Sequence, residues 1–261
     1  MAQTSPTMNV MIAAARKAAK ALARDFGEVE NLQVSRKGPS DFVSSADIKA
    51  EKTIHEELSK ARPGYGFVME ERGLVEGSDK SHRWLVDPLD GTTNFLHGIP
   101  HFAISIGLER EGVLVAGVVF NVVRDELFWA EKGAGAYLND RRLRVAARSD
   151  MRECVFATGT PFHGKPGHET ALGEIERVIA GTAGIRRFGS AALDLAYVAA
   201  GRYDGYWERG LNVWDIAAGV VLVREAGGTV TEIDGGDFMK TGAILASNPS
   251  LTPKLTQAVR G

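Results

Sequence analysis

An apolar run that ends in two aspartates is the feature of this sequence that most invites chemistry: Trp84-Leu85-Val86-Asp87-Pro88-Leu89-Asp90-Gly91-Thr92-Thr93-Asn94-Phe95. The run predicts a strand that carries Asp87 to its end, where Pro88 fixes φ and predicts a turn. Gly91 allows a close backbone approach. Thr92, Thr93 and Asn94 offer hydroxyls, an amide and free N–H groups, as at the start of a helix. Asp87, Asp90 and the uncommitted Leu89 carbonyl form an oxygen-only donor set, which hard cations such as Mg²⁺ take. Either acid alone reads as an ordinary strand-end or helix cap; that reading gives no reason for so many special residues in one string.

Two further acidic positions bear on the same chemistry. Glu70 and Glu71 close the preceding strand, so Glu70 and Asp87 emerge at one edge if the two strands are neighbours in a sheet; a solvated turn is the alternative. Asp215 opens a late helix in Trp214-Asp215-Ile216-Ala217-Ala218-Gly219, where a carboxylate ordinarily favours the helix dipole. His97 and His101 lie close to the double-aspartate run, but a hard-cation site uses oxygen, and both are read as structural. His163 and His168 flank a Gly-Lys-Pro-Gly loop and are given no role.

Positioning these acids requires both helices and strands. A first helix is predicted to begin after Ser5-Pro6-Thr7 and stop at Gly27, and a loop at Lys37-Gly38-Pro39-Ser40 follows. Ser45 reads as the N-cap of a second helix through Lys60, closed by Pro63-Gly64. Short strands at Tyr65 to Glu70 and Arg83 to Asp87 then lead into an antiparallel series: Phe102 to Arg110, Leu114 to Val123 and Glu126 to Ala130. Turns are expected at Glu111-Gly112 and Asn139-Asp140. The second half alternates strands near Val155, Ile185, Tyr206, Val230 and Ile244 with helices over Glu169 to Ile179, Ser190 to Ala200, Trp214 to Ala226 and after Pro249. Interleaving of this kind predicts stacked layers of helices and mixed sheets. Trp84 and Trp214 are expected in the core.

With 261 residues the chain can form one large domain or two packed halves. A net charge of −2 gives no general attraction to nucleic acid or membrane surfaces. The single Cys154 sits in an apolar run and reads as a buried, reduced thiol in a strand. No stretch is apolar enough to span a bilayer, and the N-terminal helix carries Arg16, Lys17, Lys20 and Arg24, unlike a signal peptide. A cytoplasmic location is therefore expected.

Asp87-Pro88-Leu89-Asp90-Gly91-Thr92-Thr93, with Trp214-Asp215-Ile216-Ala217-Ala218-Gly219 far downstream and Glu70-Glu71 upstream, resembles the signatures of the inositol monophosphatase family. The similarity covers essentially the whole chain, including an early motif, Asp41-Phe42-Val43-Ser44-Ser45-Ala46-Asp47. It departs at Met69, where the family usually has a small residue, and at Arg72 after the acidic pair. The resemblance implies a layered α/β/α/β/α sandwich of the sugar-phosphatase type and a single domain over residues 1–261, with halves of roughly 1–150 and 151–261. It implies two or three Mg²⁺ ions, inhibition by Li⁺ and a homodimer.

Carried over by position, Glu70, Asp87 and the Leu89 carbonyl hold a first metal, and Asp87, Asp90 and Asp215 a second. A third, weaker ion lies near Glu70 with Asp47 in its outer shell. Glu70, Thr92 and Asp47 are the implied catalytic residues: Thr92 and Glu70 orient the water, and Asp47 accepts its proton. Implied substrate contacts are Asp90, Gly91, Thr92, Arg186, Ala191, Glu208 and Asp215. Alone, Glu208 also reads as an exposed strand-end acid and Arg186 as a surface ion-pair partner. The implied reaction is hydrolysis of a small polyol phosphate, foremost inositol 1-phosphate. Fructose 1,6-bisphosphate, histidinol phosphate and 3′-phosphoadenosine 5′-phosphate share the metal half. A different function, as an accessory factor of RNA polymerase machinery, would draw on Arg141, Arg142, Arg144 and Arg148; a solvated basic turn is the simpler reading, and nucleic acid is not expected as a partner.

Overall fold

A computed structural model of the chain describes residues 4–28, 34–38 and 41–261. Helix α1 (Pro6–Gly27) starts where Ser5 Oγ accepts the Met8 N–H at 3.0 Å, with Pro6 in the first turn where its missing N–H costs nothing. Met8, Met11, Ala14, Ala15, Ala18 and Leu22 recur at helical spacing and form its buried stripe. A hairpin of β1 (Val34–Gly38) and β2 (Asp41–Ser44) follows. Lys37 and Gly38 of the expected loop therefore lie in β1, and its Pro39 and Ser40 fall outside the described residues. Helix α2 (Ser45–Ala61) is capped by Ser44, one residue earlier than expected. Ser44 Oγ accepts the Asp47 N–H at 3.4 Å, while the Ser44 N–H donates to Asp47 Oδ2 at 2.9 Å. That reciprocal box is closed to Ser45, which already lies inside the helix.

Eight strands make the larger sheet: β3 (Tyr65–Met69), β4 (Gly73–Val75), β5 (Asp79–Asp90), β6 (Ala103–Arg110), β7 (Val113–Asn121), β8 (Glu126–Glu131), β9 (Gly135–Leu138) and β10 (Arg141–Arg142), in the order β10-β9-β8-β7-β6-β5-β3-β4. Only β3 and β5 pair in parallel; the rest run antiparallel. The β6–β7 turn puts Glu111 and Gly112 at φ 51° and 77°, the conformation a two-residue hairpin needs. Helix α3 (Thr92–Leu96) interrupts the chain between β5 and β6.

The second half builds a five-stranded sheet, β12-β11-β13-β15-β14, from β11 (Val155–Thr158), β12 (Gly184–Arg186), β13 (Gly205–Glu208), β14 (Thr229–Glu232) and β15 (Ile244–Ser247). Its helices are α4 (His168–Ile179), α5 (Ala191–Ala199), α6 (Val213–Glu225), α7 (Phe238–Thr241) and α8 (Thr252–Arg260).

Five layers result, the arrangement that the family resemblance implies. Helices α1 and α2 cover one face of the larger sheet, α5 and α6 lie between the sheets, and α4 and α8 cover the far face of the smaller one. Three clusters of buried apolar side chains fill the four interfaces: one under α1 and α2, one under α4 and α8, and one that runs continuously around α5 and α6 from sheet to sheet. Cys154 is buried, but just ahead of β11 rather than within it. Trp84 is fully buried as expected, whereas Trp214 is only half-buried, because it opens α6 at the sheet's edge.

Candidate active site

The parallel pairing of β3 with β5 aligns Met69 with Val86, and the Glu70 N–H continues the ladder to the Val86 carbonyl at 3.2 Å. Glu70 and Asp87 thus leave the sheet side by side. Beyond them β5 does not turn at Pro88 as predicted. It bulges, with Asp87 opposite Ser105 and Asp90 opposite Ala103, so that Pro88 and Leu89 face the single residue Ile104. A bulge is where a strand tolerates proline, because the ladder is already broken there. The Leu89 N–H turns back to Asp87 Oδ1 at 2.9 Å, which sets the Asp87 carboxylate over the bulge. Gly91 then takes φ 94°, and a side chain there would lie 3.1 Å from the His101 carbonyl.

Helix α2 reaches the same edge. Thr92 Oγ1 lies 3.0 Å from Asp47 Oδ1 and 3.0 Å from the Leu89 carbonyl, so its hydroxyl joins the start of α2 to the bulge. Asp47 is completely buried; burial raises its pKa, and the bonds from Ser44 and Thr92 oppose that rise.

Asp215 arrives from the opposite face of the sheet. Cβ atoms added at Gly107 of β6 and Gly117 of β7 would lie 2.7 Å from Ala217 Cβ and 2.5 Å from the Ala218 carbonyl oxygen. A Cβ at Gly219 would lie 2.5 Å from Leu195 of α5. The small residues after Asp215 are therefore what allow α6 to sit directly on the sheet and against α5. Ser105 Oγ, opposite Asp87, donates to the Trp214 carbonyl at 3.1 Å and fixes the helix start. The Asn212 N–H donates to Asp215 Oδ2 at 2.7 Å.

Asp90 belongs to a second constellation as well. Its Oδ2 accepts Ser190 Oγ at 2.5 Å and the Ala192 N–H at 2.8 Å, so the first turn of α5, with Ala191, is tied to the β5 bulge. Across from it, Tyr206 donates to Glu208 Oε2 at 2.6 Å at the end of β13. The structure brings Asp90, Ala191 and Glu208 together and leaves Arg186 aside: Arg186 donates to the Ile185 carbonyl and is exposed. Its neighbour Arg187, held by Thr160 Oγ1 at 3.2 Å, is the guanidinium whose charge acts on Glu208.

These carboxylates shape one another's acidity. Burial raises Asp87 well above the usual range, and the charges of Glu70, Asp90 and Asp215 raise it further. Burial brings Asp90 to about 6 against the pull of Ser190 and the α5 amides. Asp215 is raised by burial and then by Asp90, and Glu208 reaches about 7 by burial, offset in part by Tyr206 and Arg187. Acids gathered so closely from strand, bulge and helix are the donor chemistry of a hard divalent cation. Among the described residues no three acidic, histidine or cysteine side chains already close on one point, so the acids face one another without forming a finished cage. His101 stays out of the set: its ring lies against Phe188 and Tyr197, and its buried Nε2 has no partner.

Sequence reasoning missed the supports. Ser190, Ser105 and Ser44 are single hydroxyls whose partners are remote in the chain or masked by capping statistics. Arg187 lies one residue past the end of β12, where strand alternation gives no direction. Asp194, fully buried on α5 with Oδ1 unpartnered, gave no signal in an alanine- and leucine-rich helix.

The chain matches the inositol monophosphatase family over residues 3–261. It is 60% identical over 257 residues to an inositol-1-monophosphatase of Mesorhizobium japonicum, covering 98% of this chain and 97% of that protein. It is 43% identical over 256 residues to the Nus factor SuhB of Escherichia coli, covering 98% and 96%. The crystal structure of the extragenic suppressor protein suhB from Bartonella henselae superposes with a TM-score of 0.95 at 59% identity, over 98% of this chain and 99% of that one.

Proposed function

The chain belongs to the inositol monophosphatase family and is a phosphoric monoester hydrolase, and from that premise we propose that it converts inositol 1-phosphate to inositol and phosphate at the edge where β3 and β5 end and α6 begins. The observation that carries this reading is the meeting of Asp87 and Asp90 with Asp215, from motifs far apart in the chain, beside Glu70.

The family is generally metal-dependent, and the oxygen-only donor set here fits Mg²⁺. Glu70, Asp87 and the Leu89 carbonyl would hold one ion, Asp87, Asp90 and Asp215 a second, with a third, weaker ion near Glu70. Such ions supply Lewis acidity: they acidify water and neutralise charge on the phosphoryl and leaving oxygens. Li⁺ would compete at these positions and inhibit.

The chain's own residues do the rest. Thr92 Oγ1 orients the attacking water together with Glu70, and Asp47 Oδ1 receives the proton through the Thr92 hydroxyl. The Gly91 and Thr92 amides face the phosphoryl oxygens as preset dipoles. Glu208 accepts a hydroxyl hydrogen bond from the polyol, with the Ala191 backbone and Asp90 beside it and Arg187, rather than Arg186, at the rim.

No described helix is long and apolar enough to cross a membrane, and we place the enzyme in the cytoplasm, with residues 1–261 acting as one domain. Ile99 and Phe188 are 47% and 46% exposed, and Asn94 Nδ2 draws their segments together by donating to the His101 and Phe188 carbonyls. This apolar patch suits a homodimer. The alternative role beside RNA polymerase gains little from the basic cluster: Arg148 is paired with Asp204 and Arg142 rests on Tyr137.

Phosphate release from inositol 1-phosphate, fructose 1,6-bisphosphate, histidinol phosphate and 3′-phosphoadenosine 5′-phosphate, with and without Mg²⁺ and with Li⁺ titrated in, tests the reading. Mg²⁺-dependent, Li⁺-suppressed turnover led by inositol 1-phosphate supports it. Preference for another ester overturns the substrate, and no release from any of them overturns the reaction.

A further inference from the structure

Helix α2 sends two acids toward the candidate site, and only Asp47 has so far been given a role. Glu51 follows it by one helical turn, so the two share a face of α2, and both are buried, at 0% and 1% exposure. Asp47 looks to Ser44 and Thr92. Glu51 looks to the chain just past β3: its Oε2 accepts the Glu71 N–H at 2.8 Å, and its Oε1 faces Arg72 Nε at 3.4 Å.

Glu70 is therefore held from two sides. Its own N–H closes the sheet ladder on Val86, and the next N–H in the chain is fastened to α2. Between Met69, the end of β3, and Gly73, the start of β4 at φ 71°, the chain has only three residues in which to reverse. The peptide joining Glu70 to Glu71 sets where the Glu70 side chain leaves the sheet edge, and that peptide carries the N–H bonded to Glu51. Arg72, which departs from the family pattern, is the residue whose cation accompanies the buried Glu51 carboxylate.

We propose that Glu51 is the positioning residue for Glu70: by holding the Glu71 amide from α2, it fixes the direction of the Glu70 carboxylate and thereby sets the affinity of the site for its divalent cation. This rests on the reading of Glu70 as a cation ligand. It also means that Asp47, Thr92 and Glu70 are all referenced to one rigid helix.

Mn²⁺ binding to the full-length protein without substrate, measured by calorimetry and electron paramagnetic resonance, provides the test. Glu51→Ala is expected to raise the Mn²⁺ Kd at least tenfold and the half-saturating Mg²⁺ concentration in parallel, with KM at saturating Mg²⁺ within twofold of wild type. Glu51→Gln keeps an oxygen that accepts the Glu71 N–H and is expected to restore the Kd to within threefold. Glu51→Asp, one methylene too short to reach the amide, carries the same expectation as the alanine variant should that one fail to fold. Wild-type Mn²⁺ affinity in Glu51→Ala or Glu51→Asp, even with lowered thermal stability, overturns the inference alone, as does a glutamine variant as weak as the alanine one. Failure of the wild type to bind Mn²⁺ overturns the cation reading and this inference with it.

Discussion

Replacing Gly159 by alanine places a methyl group where the Glu208 carboxylate lies. A Cβ built at Gly159 would fall 1.9 Å from both Glu208 Cδ and Oε1, so the carboxylate must retreat by about 1 Å to reach even the 3.0 Å limit of real contacts. Glu208 has little room for that, because Oε2 is bonded to Tyr206 at 2.6 Å and the side chain is half-buried. The movement breaks or stretches a hydrogen bond to a charged group, worth about 1.5–3 kcal/mol, and takes the same distance out of any contact with the polyol. At about 1.4 kcal/mol per tenfold, KM should rise roughly 10- to 100-fold. The phosphate-handling acids at β3, β5 and α6 are untouched, so kcat should fall much less. Steady-state kinetics on Gly159→Ala, Glu208→Gln and the double variant form a cycle. If Gly159 acts through Glu208, adding Gly159→Ala to Glu208→Gln costs little more. Unchanged KM in Gly159→Ala, or full additivity in the double variant, refutes the reasoning.

His101 is half-buried with its Nε2 out of reach of solvent and is held neutral, its pKa lowered to about 4 by burial and by Arg124. The unfolded chain therefore binds its proton first, and the stability His101 contributes is complete above about pH 6.5 and is lost as pH falls toward about 4. Discounted for partial exposure, the loss is on the order of 2 kcal/mol; urea unfolding of wild type and His101→Gln at pH 4.5 and 7 should show that difference, and parallel pH profiles would contradict it. Gly117→Ala forces a Cβ to within 2.5 Å of the Ala218 carbonyl oxygen under α6 and should cost about 1–3 kcal/mol, read by calorimetry as a Tm lower by roughly 2–6 °C. Phe188→Asp puts a charge in the exposed Ile99–Phe188 patch, and on the proposed homodimer it should give a monomer in sedimentation where the wild type gives a dimer; a monomeric wild type would overturn the dimer, and a dimeric variant would place the interface elsewhere.

Most of the elements were legible because hydrophobic periodicity is a local property: the β6–β8 meander and the helices α1, α2, α5 and α6 are each announced by their own residues, whereas the order of the layers came from the family resemblance. The candidate site was legible to the extent that its acids sit at the ends of those elements. What escaped was long-range. Pro88 was read as a turn because its φ restraint is visible in sequence, whereas the bulge depends on the register with β6. Gly107, Gly117 and Gly219 carry no local signal of their role, and only the packing of α6 reveals why they lack side chains. Ser44 and Ser45 are adjacent and chemically alike, so the choice of cap waited on the reciprocal bond from Asp47. Arg186 ends β12 and Arg187 lies just past it, and where a strand ends by one residue, which decides the guanidinium whose charge acts on Glu208, is not written in two adjacent arginines.

The most direct measurement of the central claim is the anomalous scattering of crystals soaked in Mn²⁺, a stand-in for Mg²⁺ with the same preference for oxygen. Peaks lying between Asp87, Asp90 and Asp215, and between Glu70, Asp87 and the Leu89 carbonyl, lost in Asp90→Asn at the first of these, are the result expected. Mn²⁺ bound elsewhere, or no peak among these oxygens in a well-folded crystal, would contradict the account at its foundation.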